Sequence, residues 1–408
     1  MSKRRPRGSS PLLILWASWL VLMAGANLAT PLYAVYADRF GFSSLVLTLI
    51  FATYAIVLVP ALVVFGRLSD RFGRRPVILV GLAVATVALV AFAAAESAGW
   101  LFAARALQGL AVGMVSGAAT AALVELEPSG DRRRAALLAG LAQAGGSAAG
   151  PLLAGVLAEW APAPRQLCFL VGVGATVAAG LLVWTLPEPA GRDREPWRIE
   201  WPRVPAEIRA AFARVGITAG VVWATLALFL SIVPSYAGDL LDTKNLALLA
   251  AISAASVLAS CVAQIAAQRF AGSVRRDQAA GLAVLSAGLL ALVIAAPLHS
   301  LALMLVAAIA AGTGHGVGFL NAQQELNEIA PAQRRGEVTA AFIGCIYFLV
   351  ACSVISSGLL DLRFSLSVSV ASVAVALIVV ALATAAWQVG SGRLGSGQAL
   401  RRTLSRAS

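Results

Sequence analysis

Apolar residues run in blocks along the whole chain, each about 20 residues long and separated by short polar turns. At about 1.5 Å of rise per residue, a helix of that length crosses a hydrocarbon layer of roughly 30 Å. Strand barrels, the other way to span a bilayer, need short alternating segments, and the pattern has none. The blocks predict twelve spans, at 12–36, 44–65, 76–95, 99–124, 135–158, 167–186, 212–236, 245–267, 278–297, 300–325, 338–360 and 364–388. The stretch 187–211 is the longest polar interval and carries Pro187, Pro189, Pro196, Pro202 and Pro205. It reads as a linker between an N-terminal six-helix bundle, 1–186, and a C-terminal one, 212–388, with a basic tail at 389–408. A short amphipathic helix near 205–213 is expected along the membrane face. Lys3-Arg4-Arg5 ahead of Leu12 to Ala29 has the look of a secretory signal, but an even span count favours a retained first helix.

Composition agrees with that pattern. The chain is 60% hydrophobic and 12% charged, whereas a soluble domain is about one quarter charged. The net charge of +12 does not point to nucleic acid, because it is segregated. Arg39, Arg165, Lys244 and Arg363 fall on one side of the predicted membrane and Arg105 within a span, leaving 26 of the 31 basic residues on the other side. The positive-inside rule makes that side, and both termini, cytoplasmic. The arginines then serve as topology determinants and lipid contacts. Cys168, Cys261, Cys345 and Cys352 lie in apolar blocks with no metal or disulfide spacing and read as small core residues. Lysine occurs only at Lys3 and Lys244 beside abundant arginine, which suits a GC-rich bacterial genome.

The halves repeat. At an offset of 203 residues, Pro31 matches Pro234, Tyr33 matches Tyr236, Gly109 matches Gly312 and Gly113 matches Gly316. Glu125, Pro128 and Arg132 likewise match Glu328, Pro331 and Arg335. At two positions the chemistry diverges, Arg105 against Ala308 and Val112 against His315.

Polar residues inside spans are costly and mark function by default. Arg105, Gln108, Gly109, Val112, Gly113, Ser116, Gly117 and Thr120 follow one helical stripe of the fourth span, which suits a cavity or a helix neighbour better than lipid. His315 takes the place of a stripe residue, so it is expected to face the cavity and to exchange protons near neutrality. Ser256, Ser260 and Gln264 share a stripe of the eighth span, and Asn27, Tyr54, Gln143, Gln323 and Tyr347 complete the polar candidates for the cavity. The first span offers no mid-membrane acid, and the residues left that could exchange a proton are Asp38, His315 and Glu325.

Gly66-Arg67-Leu68-Ser69-Asp70-Arg71-Phe72-Gly73-Arg74-Arg75, expected as a turn between the second and third spans, resembles the G-x-L-[ST]-D-R-x-G-R-R signature of the major facilitator superfamily. Arg105-Ala-Leu-Gln108-Gly109 resembles its R-x-x-Q-G motif, which implies that Arg105 and Gln108 are candidates for proton coupling, and Gly146-Ser-Ala-Ala-Gly150-Pro151-Leu-Leu-Ala154-Gly155 resembles the G-x-x-x-G-P-x-x-G-G motif of its proton-driven exporters, with Ala154 a departure. The resemblance implies an all-α polytopic membrane protein, twelve helices in two parallel-repeat bundles with the substrate between them. It implies a cytoplasmic latch at Gly66, Asp70, Arg71, Gly73 and Arg74, with Arg74 reaching Glu125 or Glu127. It implies a helix-five bend at Gly146, Gly150, Pro151 and Gly155. The expected function is proton-coupled efflux of an apolar or amphiphilic small molecule by a monomer in the bacterial inner membrane, its partners substrate, protons and lipids, with no cofactor, metal or nucleic acid. Uptake of a metabolite is the alternative within transport, and a membrane sensor without turnover the alternative outside it. A polytopic enzyme is not expected, since no acid, His and Ser group shares one membrane depth.

Overall fold

A computed structural model describes residues 10–188, 204–269, 272–331 and 334–407, without the side chains at 66, 67, 70, 132, 133, 136, 335, 336 and 391–407. The 187–211 linker thus lies largely outside the described residues. The helices are α1 (Ser10–Asn27), α2 (Tyr33–Phe40), α3 (Ser44–Phe72), α4 (Arg74–Ala93), α5 (Ala98–Leu126), α6 (Arg132–Trp160) and α7 (Leu167–Trp184) in the first half. The second half has α8 (Arg209–Ser231), α9 (Val233–Leu240), α10 (Leu246–Ala267), α11 (Val274–Leu298), α12 (Leu301–Ile329), α13 (Arg335–Asp361) and α14 (Leu366–Ala407). Twelve of these segments are long and apolar enough to span a membrane, as the hydrophobic blocks predict.

Four expectations need correction. The decapeptide 66–75 is not a turn: α3 runs on through Phe72, α4 starts at Arg74, and Gly73 alone reverses the chain. Its φ of 104° is open to glycine, and a Cβ there would stand 2.7 Å from the Glu188 carboxylate, which accepts from the Arg74 N–H at 2.6 Å. The first and seventh spans are each broken near the arginine-poor end, into α1 and α2 and into α8 and α9, where Pro31 and Pro234 lack the N–H that a continuous helix needs. No separate surface helix forms at 205–213; a 3₁₀ turn at Ala206–Ile208 leads straight into α8, whose Phe212 is buried in the second half's core.

The repeat is real, but its register is not constant. The starts of α5 and α12, and of α6 and α13, are 203 residues apart, whereas α3 and α10 differ by 202 and the pairs α2/α9 and α4/α11 by 200. The Tyr36 hydroxyl donates to the Phe92 carbonyl at 3.3 Å, and the Tyr236 hydroxyl to the Leu292 carbonyl at 3.4 Å. Tyr236 therefore corresponds to Tyr36, not Tyr33. Loops of unequal length shift the register between helices while each helix pair keeps its packing.

Glycines set that packing. Cβ atoms on Gly109 and Gly113 would run into the α3 backbone at Tyr54 and Leu58, and those on Gly312 and Gly316 into the α10 backbone at Ser256 and Ser260. Small residues here let helices touch along their backbones, which lipid-embedded bundles need because apolar burial contributes little between them.

The halves meet along two seams, α3 with α13 and α6 with α10. On α6, Gly155 faces Leu246 and Ala250, and Ala148 joins Leu226, Leu230, Ala254 and Val257 in one buried cluster. On α13, Gly358 packs on Leu45 and Thr48. Gly140 and Gly344 continue these two stripes toward the arginine-rich end, yet a Cβ at either would meet nothing within 4 Å. Among the described residues, the seams are closed at the arginine-poor rim, and neither Gly140 nor Gly344 meets the other half toward the arginine-rich end.

Candidate functional site

At the arginine-rich end of the first half, Arg74 donates to the Ser69 hydroxyl at 2.7 Å and pairs with Glu125 at 3.3 Å. Arg75 donates to the Leu186 carbonyl at 2.8 Å and lies over the Trp184 ring. Arg71 is exposed, and the Gly66 and Asp70 side chains lie outside the described ones. Of the two acids offered for Arg74, Glu125 takes it. Glu127 instead caps the α5–α6 loop, accepting from the Ser129 hydroxyl at 2.8 Å and the Asp131 N–H at 2.7 Å. Burial pushes its carboxyl up, but those donors, the Gly130 N–H and Arg134 together hold it below its ordinary value.

Arg105 sits seven residues into α5 from the arginine-poor end, about 10 Å deep. Only 4% of it is exposed. It turns inward rather than snorkelling. Nη1 donates to the Ala26 carbonyl at 3.1 Å and to Gln108 Oε1 at 2.9 Å, and Gln108 Nε2 donates to the Gly25 carbonyl at 3.1 Å. The guanidinium lies 5.0 Å from the Phe51 ring centre and 4.6 Å from that of Tyr54. Tyr347, on α13, packs against the first half's core and interacts with the Tyr54 hydroxyl across the seam.

His315 lies midway along α12 and is 3% exposed. Its Nδ1 is 2.7 Å from the Ser260 hydroxyl, which also accepts from Gln264 at 3.1 Å. Nε2 has no partner among the described residues. The ring is set edge-on to Trp223 at 5.1 Å and stacked on Phe319 at 5.7 Å. It therefore lies one layer behind the surface it was expected to line, with Trp223 in the seam cluster in front of it. Gln323 continues the His315–Phe319 stripe and is exposed. Asn27, on α1, donates to the Met23 carbonyl at 2.8 Å and approaches Ser147 of α6 at 3.4 Å; Gln143 is half-buried.

Two coupling candidates are placed elsewhere. Asp38 is exposed at the arginine-poor rim, near Asp239 and Asp361 of the other half. Glu325 is 5% exposed and committed to an ion pair with Arg214, a second contact to Arg275 at 3.2 Å and a hydrogen bond from Gln278 at 2.7 Å. Gln388 extends that network to Gln278 and Thr218. Sequence reasoning passed over Arg214, although a charged residue inside a span is itself a signal.

The helix-five motif supplies close contacts. A Cβ on Gly146 or Gly150 would strike the α1 backbone at Leu20 or Ala24, while Gly155 meets α10. α6 runs unbroken through Pro151. Beyond the motif, Glu159 accepts from the Leu246 N–H of the other half at 2.8 Å.

Two six-helix repeats meeting along small-residue seams are the architecture of a secondary transporter, and a profile of the Major Facilitator Superfamily matches residues 15–353. The chain belongs to that superfamily, whose members named here are transporters and not enzymes. It is 34% identical over 46% of its length to a puromycin resistance protein of Streptomyces alboniger and 33% identical over 47% to a cephamycin export protein of Amycolatopsis lactamdurans. It is 28% identical over 44% to multidrug resistance protein 1 of Bacillus subtilis. These alignments span 36%, 40% and 45% of the relatives' own lengths. The fold matches a nucleoside transporter, NupG, with a TM-score of 0.74 at 13% identity over 93% of this chain and 99% of that one. It matches a D-xylose–proton symporter with a TM-score of 0.73 at 16% identity over 93% and 96%.

Proposed function

We propose that the protein exports an apolar or amphiphilic small molecule from a bacterial cell in exchange for protons, acting as a monomer in the inner membrane. Its arginine-rich end, with both termini, is cytoplasmic by the positive-inside rule. On that orientation the rim held by Gly155 and Glu159 is the outer one. The observation that carries the reading is the small-residue face of α6, which packs on α1 through Gly146 and Gly150 and on the other half through Gly155. The motif on that face resembles the one carried by proton-driven exporters, and the names of the three relatives above point the same way.

His315 is the proton carrier in this scheme. Asp38 lies at the rim and Glu325 is held by two arginines, whereas Nε2 of His315 has no hydrogen-bond partner among the described residues. Arg105 cannot carry the proton, because a guanidinium stays charged. Asp70 and the junction of α3 with α4 act as the inner latch. Energised everted vesicles offered a compound panel in the medium test the proposal. Proton-driven accumulation, abolished by a protonophore and shifted in pH profile by His315→Ala, is the expected result. Flux only in the opposite direction refutes export, and an unchanged profile removes His315.

A further inference from the structure

Arg105 is buried without a counter-charge. Among the described residues no carboxylate pairs with it, and both bonds it makes are from Nη1 to neutral acceptors, the Ala26 carbonyl and the Gln108 amide oxygen. Nε is fully buried and has no partner. The edge formed by Nε and Nη2 is therefore unused, and that edge presents two parallel N–H groups in the fork that fits a carboxylate in bidentate fashion. Tyr33, 1% exposed with its hydroxyl also unpartnered, stands within electrostatic reach of the guanidinium, as do the hydroxyls of Tyr54 and Tyr347. Phe51 and Tyr54 supply flat apolar walls beside it.

A fixed cation taken out of water needs a compensating anion, and the faces of aromatic rings compensate only in part. We propose that the missing anion is part of the transported molecule: the substrate is an aromatic or similarly apolar carboxylate whose oxyanion docks on the Nε–Nη2 edge of Arg105 while its body lies against Phe51, Tyr54 and Tyr347. This deepens the exporter reading and rests on it only in taking the space between the halves as the substrate's path. Tyr347 belongs to the opposite half, so parting α3 from α13 unroofs the guanidinium. The anion thus has different affinities for the two states, which is what a substrate needs in order to drive the exchange.

The test uses the purified full-length chain in nanodiscs of phosphatidylcholine alone, titrated calorimetrically with 2-naphthoate, its methyl ester and 2-naphthylmethylammonium. The expected result is that naphthoate binds at least tenfold more tightly than either analogue. Arg105→Gln abolishes that preference, and Arg105→Lys, which keeps the charge but loses the fork, weakens it. If Arg105→Gln does not fold, the wild-type ranking and the Arg105→Lys titration still decide. Equal binding of the three probes, preference for the ammonium, or an anion preference that survives Arg105→Gln overturns the proposal. Adding phosphatidylserine separates a lipid headgroup from a soluble anion: loss of naphthoate binding to the lipid would assign the edge to a headgroup and also overturn it. Vesicle flux running only inward would end the export reading while leaving the binding result intact.

Discussion

Replacing Glu159 by alanine should open the arginine-poor rim. Its carboxylate, from the first half, accepts from the N–H of Leu246, the first residue of α10 in the second half, at 2.8 Å. The first N–H groups of a helix have no partner within it, and the helix dipole adds attraction for an anion there. Asn245 caps the same turn from within its own half, accepting from Leu248 at 2.8 Å, so Glu159 is the cross-half part of the cap. A carboxylate at a helix start contributes about 0.3–1 kcal/mol when exposed and up to ~2 when partly buried. Glu159 is half-buried, which places its share at about 1–2 kcal/mol. At roughly 1.4 kcal/mol per tenfold, Glu159→Ala should shift the open-to-closed ratio of the rim by about 5- to 30-fold. Glu159→Gln keeps an acceptor but not the charge and should fall between. Spin labels at Gln166 and Lys244, exposed on opposite halves of the rim, would report the populations by pulsed electron resonance in a background free of the native cysteines. An unchanged distance distribution in Glu159→Ala, or one shifted toward the shorter distance, would refute the latch.

Three further outcomes are expected. Gly155→Val should force α6 from α10, because even the first added carbon would lie 2.5 Å from the Ala250 methyl; the same label pair should move apart, and an unaltered distance would mean the seam has slack. Glu325→Gln should cost about 3–5 kcal/mol of fold stability, mostly through Arg214, since Arg275 is 37% exposed and screened; a melting temperature equal to wild type would contradict this. Burial, with the Asp361 and Asp38 carboxylates nearby, raises the Asp239 carboxyl above its ordinary value in the closed rim. Opening removes Asp38 and lets that value fall, so the closed rim binds the proton more tightly and gains population as pH drops from the raised value toward the ordinary one. Asp38→Asn should flatten that pH dependence in the label distances, and an equally steep titration would exclude the cluster.

The sequence carried different parts of this molecule with different strength. Span number and fold were legible because a lipid-facing helix must be apolar along about 20 residues, and the blocks could mean little else. Arg105 was legible for the same reason, as a charge where none is tolerated without cause. Register between the halves was not. Matching Tyr33 to Tyr236 used one offset for helices separated by loops of unequal length, and only the paired bonds of Tyr36 and Tyr236 give the true equivalence. The extent of α3 past Phe65 was hidden because hydropathy ends with the hydrocarbon, whereas the helix does not. Glu159 looked like an ordinary loop acid, since its partner is a backbone N–H 87 residues away. His315 was correctly matched to Val112, but periodicity could not show that Trp223, from another helix, covers it.

The placement of ion pairs also constrains how the molecule moves. Arg74 with Glu125, and Glu325 with Arg214 and Arg275, each lie within one half, as does the Gln278–Gln388 extension. Charged networks of this kind are expensive to break, because each lost partner leaves a buried charge. Among the described residues, contacts across the seams are cheaper to part: glycine against backbone or methyl, the apolar cluster at Ala148, one tyrosine pair and one carboxylate on a helix end. A motion that keeps the first set and breaks the second is a rocking of two rigid halves. The rim itself is finely balanced, since Glu159 draws it shut while Asp38 repels Asp239 across it. With opposing terms of this size, a ligand that gains even a few kcal/mol in one state and not the other suffices to turn the cycle.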